Sequence, residues 1–286
     1  MSATISRRTT LTGALLALPA FAPAFANDAE TRLVALERSN GGRLGVAVLD
    51  LGTGRRISHR ADERFALCST FKFLAASLVL DRVDRGREQL NRRVTFTEKD
   101  LVPNSPATKE HVGTGMTMAE ICRAAITLSD NTAGNLMLAS FGGPVALTAY
   151  ARTLGDDFTR LDRIETDLNE ARTGDPRDTT TPAAMTENLR RIVLGDALSE
   201  TSRRQMADWL LANQTGAERL RAGLPKDWRI GDKTGTGDNG AANDIAVIWP
   251  PGRAPLIVSV YFAEAAIPAG ARNGVIADIG RIVAGI

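Results

Sequence analysis

The sequence predicts an α/β fold joined to an all-α unit: an antiparallel sheet built from both ends of the chain and flanked by helices, with a helical domain inserted between its halves. Three observations predict it. Strand-like segments cluster toward the two ends, while helical periodicity and helix caps fill the middle. No internal repeat or low-complexity tract points to a solenoid or an unfolded chain. With 286 residues, 43% hydrophobic and 24% charged, the chain can bury a substantial core. One large domain or two interleaved ones fit that length.

The elements follow in order. Arg7 and Arg8 precede an apolar run from Leu11 to Phe25 that ends at Ala24-Phe25-Ala26, a small-x-small cleavage pattern. Residues 1–26 therefore read as an export signal. Ser6-Arg7-Arg8-Thr9-Thr10-Leu11 resembles a twin-arginine signal, and a general secretory signal with two arginines fits as well. Without that segment, which holds no Asp or Glu, 33 cations face 33 anions. A basic stripe for nucleic acid and a membrane-surface patch are not expected. No later run approaches the roughly 20 apolar residues of a membrane span. The expectation is a soluble, monomeric periplasmic protein starting near Asn27.

Arg43 to Asp50 reads as a strand ending in a turn at Gly52 and Gly54. Phe71, Leu74, Ala75, Leu78, Val79 and Val83 mark one face of a helix closed by Gly86. Thr117 to Glu120 is a capping box that opens another. Residues 163–178 show neither helical nor strand period, and a loop of that length in a compact domain is functional or disordered. Thr181-Pro182 places an N-cap before proline, with Gly195 as the C′ stop of that helix. Residues 229–236, 243–249 and 256–262 read as strands, and Arg272 to Val283 as a final helix. The expected division is an α/β domain from residues 27–62 and 212–286, and a helical domain over residues 63–211.

Four short motifs carry chemistry. Ser69 and Lys72, three apart at a helix start, point to one side of the first turn. The helix N-terminus suits a developing oxyanion, and a buried lysine can take a serine proton. Alone, the spacing is weak evidence: a capping serine beside a solvated lysine explains it as well. Ser129-Asp130-Asn131, between two helices, can present a hydroxyl and an amide to a cleft, or can be an ordinary polar turn. Lys233-Thr234-Gly235 lies in a strand, where lysine can pair with a carboxylate and glycine admits a ligand to the backbone. Glu165 and Asn169 sit in the irregular loop.

Together and in this order, the four motifs resemble the signature of class A β-lactamases, and the similarity runs from about residue 30 to the C-terminus, including 163–171 and 177–182. The resemblance implies a five-stranded antiparallel sheet of the β-lactamase/transpeptidase type and hydrolysis of penicillins and cephalosporins without metal or cofactor. It implies Ser69 as nucleophile, with an oxyanion hole from the backbone N–H groups of Ser69 and Thr236. Lys72 and Glu165 share the proton work of acylation. Glu165 with Asn169 activates the deacylating water. Ser129 relays a proton to the leaving nitrogen, and Asn131 binds the substrate amide. Lys233, Thr234, Gly235 and Thr236 form the carboxylate site. Arg163 and Asp178 form the ion pair that closes the loop. Partners are β-lactam substrates and mechanism-based β-lactam inhibitors.

Several positions depart from common relatives. No arginine follows Lys-Thr-Gly in Gly240-Ala-Ala-Asn243, and Arg219 matches relatives that supply the guanidinium from there. Asn104 stands where many carry an aromatic residue. Thr166 follows Glu165 where some have proline, so a conserved cis peptide would be a non-proline one. Cys68 and Cys122 each lack the usual partner, since Gly237 and Ala76 occupy those positions, and two free buried thiols are expected. A D-Ala-D-Ala peptidase or a non-hydrolysing β-lactam sensor shares the serine and lysine motifs but not the loop glutamate. A zinc hydrolase does not suit two histidines, His59 and His111, far apart in the chain. A Ser-His-Asp hydrolase would show the Gly-x-Ser-x-Gly turn, which the chain lacks.

Overall fold

The structure, a computed structural model, describes Met1 and residues 24–286, so the expected signal lies almost wholly outside the described residues. The first helix, α1 (Ala24–Asn40), is followed by the hairpin β1 (Arg43–Asp50) and β2 (Arg56–His59). Asp50 closes that turn by accepting the backbone N–H of Gly52 at 2.7 Å. The chain then leaves the sheet through β3 (Phe65–Ala66) into α2 (Phe71–Asp84), β4 (Arg93–Val94), β5 (Met116–Thr117), α3 (Met118–Thr127), α4 (Asn131–Phe141) and α5 (Gly143–Thr153). It continues through β6 (Thr179–Thr180), α6 (Pro182–Leu189), α7 (Glu200–Leu211) and α8 (Leu220–Gly223). It re-enters the sheet as β7 (Arg229–Thr236), β8 (Ala242–Trp249) and β9 (Leu256–Ala263), and closes with α9 (Ala269–Ala284).

The sheet has five antiparallel strands in the order β2-β1-β9-β8-β7. The chain's two ends thus meet at β1 and β9, where Val46 pairs with Val260. β2 is the strand the sequence conceals: four residues alternating in burial are too short to show a period.

Side chains alternate across the sheet and feed two apolar clusters. On one face Val46, Val48, Ala246, Val258 and Val260 pack with Leu33 of α1 and Ile276 and Ile279 of α9. On the other, Leu49, Ile245, Val247, Ile257 and Tyr261 join the helical region, including Met185 and Leu189 of α6.

Helix α2 differs from its expected one-sided pattern. Every residue from Phe71 to Leu80 is buried, because α3, α4, α5 and α7 surround it. Gly86 ends it as expected, at φ +68°, donating its N–H to Val83 O at 2.9 Å. The Thr117–Glu120 capping box opens α3. The Thr181 hydroxyl caps α6 by accepting the Ala184 N–H at 3.1 Å. Gly195 is not a left-handed C′ stop: α6 runs into a wider turn over Arg190–Leu194, and Gly195 follows at φ −95°. What requires glycine there is room, since a Cβ would stand 2.9 Å from Arg191 O.

Candidate active site

The nucleophile candidate sits on a single tight turn, Cys68–Thr70, that feeds into α2. Cys68 holds φ +44° there. The Thr70 hydroxyl donates to Leu67 O at 2.6 Å, and Asn243 Nδ2 on β8 donates to Ala66 O and Leu67 O. These bonds fix the turn against the sheet. The alternative of a capping serine does not hold: the residue before α2 is Thr70, and no side chain caps the helix. A hydroxyl free of capping duty is free for chemistry.

Ser69 Oγ accepts from Lys72 Nζ at 2.9 Å and donates to Glu165 Oε1 at 3.2 Å. Lys72 Nζ also reaches Glu165 Oε1 at 2.9 Å, Ser129 O at 2.9 Å and Asn131 Oδ1 at 2.6 Å. Both side chains of the Lys72–Glu165 pair are fully buried. Burial is the main influence on Lys72 and lowers its pKa from the ordinary lysine value, with Glu165 pulling the other way. Gly134 on α4 makes the room, since a Cβ there would lie 2.9 Å from Lys72 Cε.

The irregular loop after Arg163 carries only one short helical turn, Asp167–Asn169. Its ends are joined by Arg163 Nε donating to Asp178 Oδ2 at 2.6 Å, and Asp178, fully buried, also accepts the Asp162 and Arg163 N–H groups. The loop therefore returns on itself as expected of that ion pair. Arg163 Nη1 adds a bond to Glu170 Oε2 at 2.6 Å. Glu165 is aimed by two amides. Asn169 Nδ2 donates to its Oε2 at 2.5 Å, and Asn135 on α4 clamps its backbone, accepting the Glu165 N–H and donating to Glu165 O, both at 2.9 Å. The Glu165–Thr166 peptide is cis.

The far wall is the end of β7, the edge strand. Lys233 Nζ, buried, donates to Ser129 Oγ at 3.0 Å and to Thr234 O at 2.8 Å. Burial first and the neighbouring Lys72 second push the Lys233 pKa well down. Because Ser129 accepts from Lys233, its own proton is free to point into the cleft. Gly235 lets the strand approach the segment leading into the serine turn, where a Cβ would lie 3.0 Å from Leu67 O, and Gly237, just past the strand, lets it approach the loop, where a Cβ would lie 2.6 Å from Asn169 O. Arg219, expected to supply a binding guanidinium, is buried. It donates to Gly235 O at 2.7 Å, Asn243 O at 2.6 Å, Thr236 Oγ1 at 2.7 Å and Asn273 Oδ1 at 2.9 Å. All four acceptors are neutral.

The structure thus brings Ser69, Lys72, Ser129, Asn131, Glu165, Asn169, Lys233, Thr234, Thr236 and Arg219 to one junction between sheet and helices. Sequence reasoning missed Asn135 and left Asp130 without a role. Asn135 lies four residues after Asn131, on the same face of α4, and that spacing was its signal. Asp130 accepts Ala107 N–H, Thr108 N–H and Ala133 N–H, all at 2.9 Å, and so locks the junction that presents Ser129 at φ +57°. Asn104, at φ +61°, donates to Ser129 O at 3.3 Å from the mouth of the cleft. Cys68 and Cys122 are free and buried, and burial pushes the Cys68 pKa up to about 12. Among the described residues, no group of His, Cys, Asp or Glu could hold a metal ion.

A serine hydroxyl touching both a buried amine and a buried carboxylate can receive an acyl group and pass it to water, which is the chemistry of a serine hydrolase. A profile of the β-lactamase enzyme family matches residues 28–285. The chain is 51% identical over 258 residues to β-lactamase CTX-M-8 of Citrobacter amalonaticus, covering 90% of this chain and 89% of that one. It is 50% identical over 255 residues to β-lactamase L2 of Stenotrophomonas maltophilia, covering 89% and 84%. Among solved structures, the ancestral (GNCA) class A β-lactamase aligns with a TM-score of 0.89 at 63% identity, covering 90% of this chain and 99% of that one. The chain belongs to the β-lactamase enzyme family, in class A, and is a hydrolase of β-lactam antibiotics.

Proposed function

We propose that penicillins and cephalosporins are opened through an acyl-enzyme on Ser69, released by water that Glu165 activates. One observation carries the reading: Ser69 Oγ stands 2.9 Å from Lys72 Nζ and 3.2 Å from Glu165 Oε1. Ser69 gives its proton to one of these two groups as it attacks the lactam carbonyl. The N–H groups of Ser69 and Thr236 receive the oxyanion. The Ser129 proton passes to the leaving nitrogen, and Lys233 stabilises the oxygen left behind. Lys233, Thr234, Thr236 and Arg219 hold the substrate carboxylate along the Gly235 stretch, and Asn131 takes the amide. Glu165 and Asn169 then hold and deprotonate the hydrolytic water. A peptidase or a sensor would hold its acyl group without such a base; the carboxylate beside Ser69 favours the hydrolase.

Glu165→Ala tests this. The variant should acylate, release about one equivalent of product per enzyme and stall, as read by a burst and a persistent mass adduct. Sustained turnover would refute the role.

We also propose that the mature chain starts near Asn27, is exported to the periplasm and acts as a monomer, and that residues 27–62 with 212–286 form one domain and 63–211 the other. The N-terminal pattern and the two apolar clusters support this. Among the described residues no helix is long and apolar enough to cross a membrane. Sequencing the N-terminus of the protein from a periplasmic extract, and its mass in solution, check the first three.

A further inference from the structure

We infer that Thr215, outside the cluster above, is a positioning residue that controls how a substrate carboxylate gains the Thr234 hydroxyl. The inference rests on the reading of Thr234 as a carboxylate ligand.

The argument is one of donors and acceptors. The Thr215 backbone N–H donates to Asn213 Oδ1 at 3.1 Å. A backbone N–H can only donate, so the Asn213 atom it meets is the oxygen. The other end of that amide agrees, since Asn213 Nδ2 donates to buried Asp232 Oδ2 at 2.5 Å. The Thr215 hydroxyl lies 2.8 Å from the same oxygen and must donate to it. Its single proton is then committed, so at the 2.5 Å contact between Thr215 Oγ1 and Thr234 Oγ1, Thr215 is the acceptor. The Thr234 proton therefore points at Thr215.

The start of this relay is rigid. Asp232 is also held by Arg221 Nη2 at 2.7 Å, and a Cβ at Gly216 would fall 1.9 Å from Asp232 Oδ2. A bound carboxylate has no proton of its own. Thr234 must turn away from Thr215 to donate to it, exchanging a neutral hydrogen bond for a charge-assisted one. Losing the first bond weakens carboxylate binding by roughly two- to tenfold, the equilibrium equivalent of one neutral hydrogen bond.

Thr215→Val removes the acceptor at nearly constant volume. For benzylpenicillin it should lower KM by about two- to tenfold, with kcat within about twofold. Thr215→Ser should restore the wild-type KM. In a Thr234→Val background the Thr215→Val effect should vanish, because no hydroxyl proton remains to be redirected. A purely structural role would persist in that background. If Thr234→Val alone leaves KM at the wild-type value, the carboxylate reading fails. If Thr234→Val raises KM but Thr215→Val either fails to lower it or lowers it equally in both backgrounds, the assignment of Thr215 is overturned.

Discussion

Lys72 Nζ has three protons when charged and four acceptors within 2.9 Å: Ser69 Oγ, Glu165 Oε1, Ser129 O and Asn131 Oδ1. The surplus acceptor means the Ser69 contact need not be a donation from lysine. Once Lys72 is neutral, which burial favours, the same contact lets Ser69 donate instead. Lys72→Ala should therefore slow acylation by about 10²- to 10⁴-fold, read in the quenched-flow burst, more than it changes KM. At this scale the sequence was legible wherever a motif fixes spacing: Ser69, Lys72, Ser129, Asn131 and Lys233 all converge. It was least legible for Arg219, whose surroundings come from Gly235, Asn243 and Asn273, residues distant in the chain. No local pattern distinguishes a buried arginine of that kind from an exposed one.

Two elements carry their own predictions. In the loop, Asp178→Ala leaves the N–H groups of Asp162 and Arg163 and the Arg163 Nε–H without their acceptor, with only Glu170 still holding the guanidinium. The loop should lose about 2–4 kcal/mol of local stability. Because Glu165 rides on that loop and Ser69 does not, single-turnover measurements should show deacylation slowed more than acylation. At the N-terminal helix, Glu37 of α1 accepts from Arg60, from the Leu44 N–H at 2.9 Å and from His59 at 3.0 Å, and so pins α1 to β1 and β2. The hydrogen bond from Arg60 is the main cause that holds its pKa near 2 instead of 4.5. A carboxylate with a lowered folded pKa stabilises fully above its unfolded value and loses that contribution as pH falls through its folded one. Glu37→Gln should lower the melting temperature at neutral pH and flatten the acid dependence between about pH 4.5 and 2, as followed by calorimetry. The helices were legible from caps and glycines, Thr117, Thr181 and Gly86 among them. β2 was not legible, nor was the burial of α2 on every side, because period disappears in a very short element and one-sidedness in a surrounded one.

Across the whole molecule, the sheet serves both apolar clusters. Ile245, Val247, Ile257 and Tyr261 face the helical region, so its core is completed by strands from the other end of the sequence. The segment 63–211 made alone should lack fixed packing, with a weak near-ultraviolet circular dichroism signal, while the intact chain melts in one transition. The site is similarly composite, since the serine turn, α4, the loop and β7 meet only when both halves are in place. That layout was legible because strand signals gathered at the ends. Which helix packs on which face was not, because those choices are made by side-chain contacts between distant segments.

The two cysteines stay apart, each a free thiol sealed in the interior, with Cys68 opening the serine turn and its Sγ beside Gly237. Nothing in the covalent framework waits for an oxidant or an isomerase. The polypeptide can reach its finished shape in a reducing compartment as readily as in an oxidising one. Should the proposed export carry the chain already folded, this thiol chemistry poses no obstacle, whereas a protein that needs disulfides would have to cross first and mature afterwards.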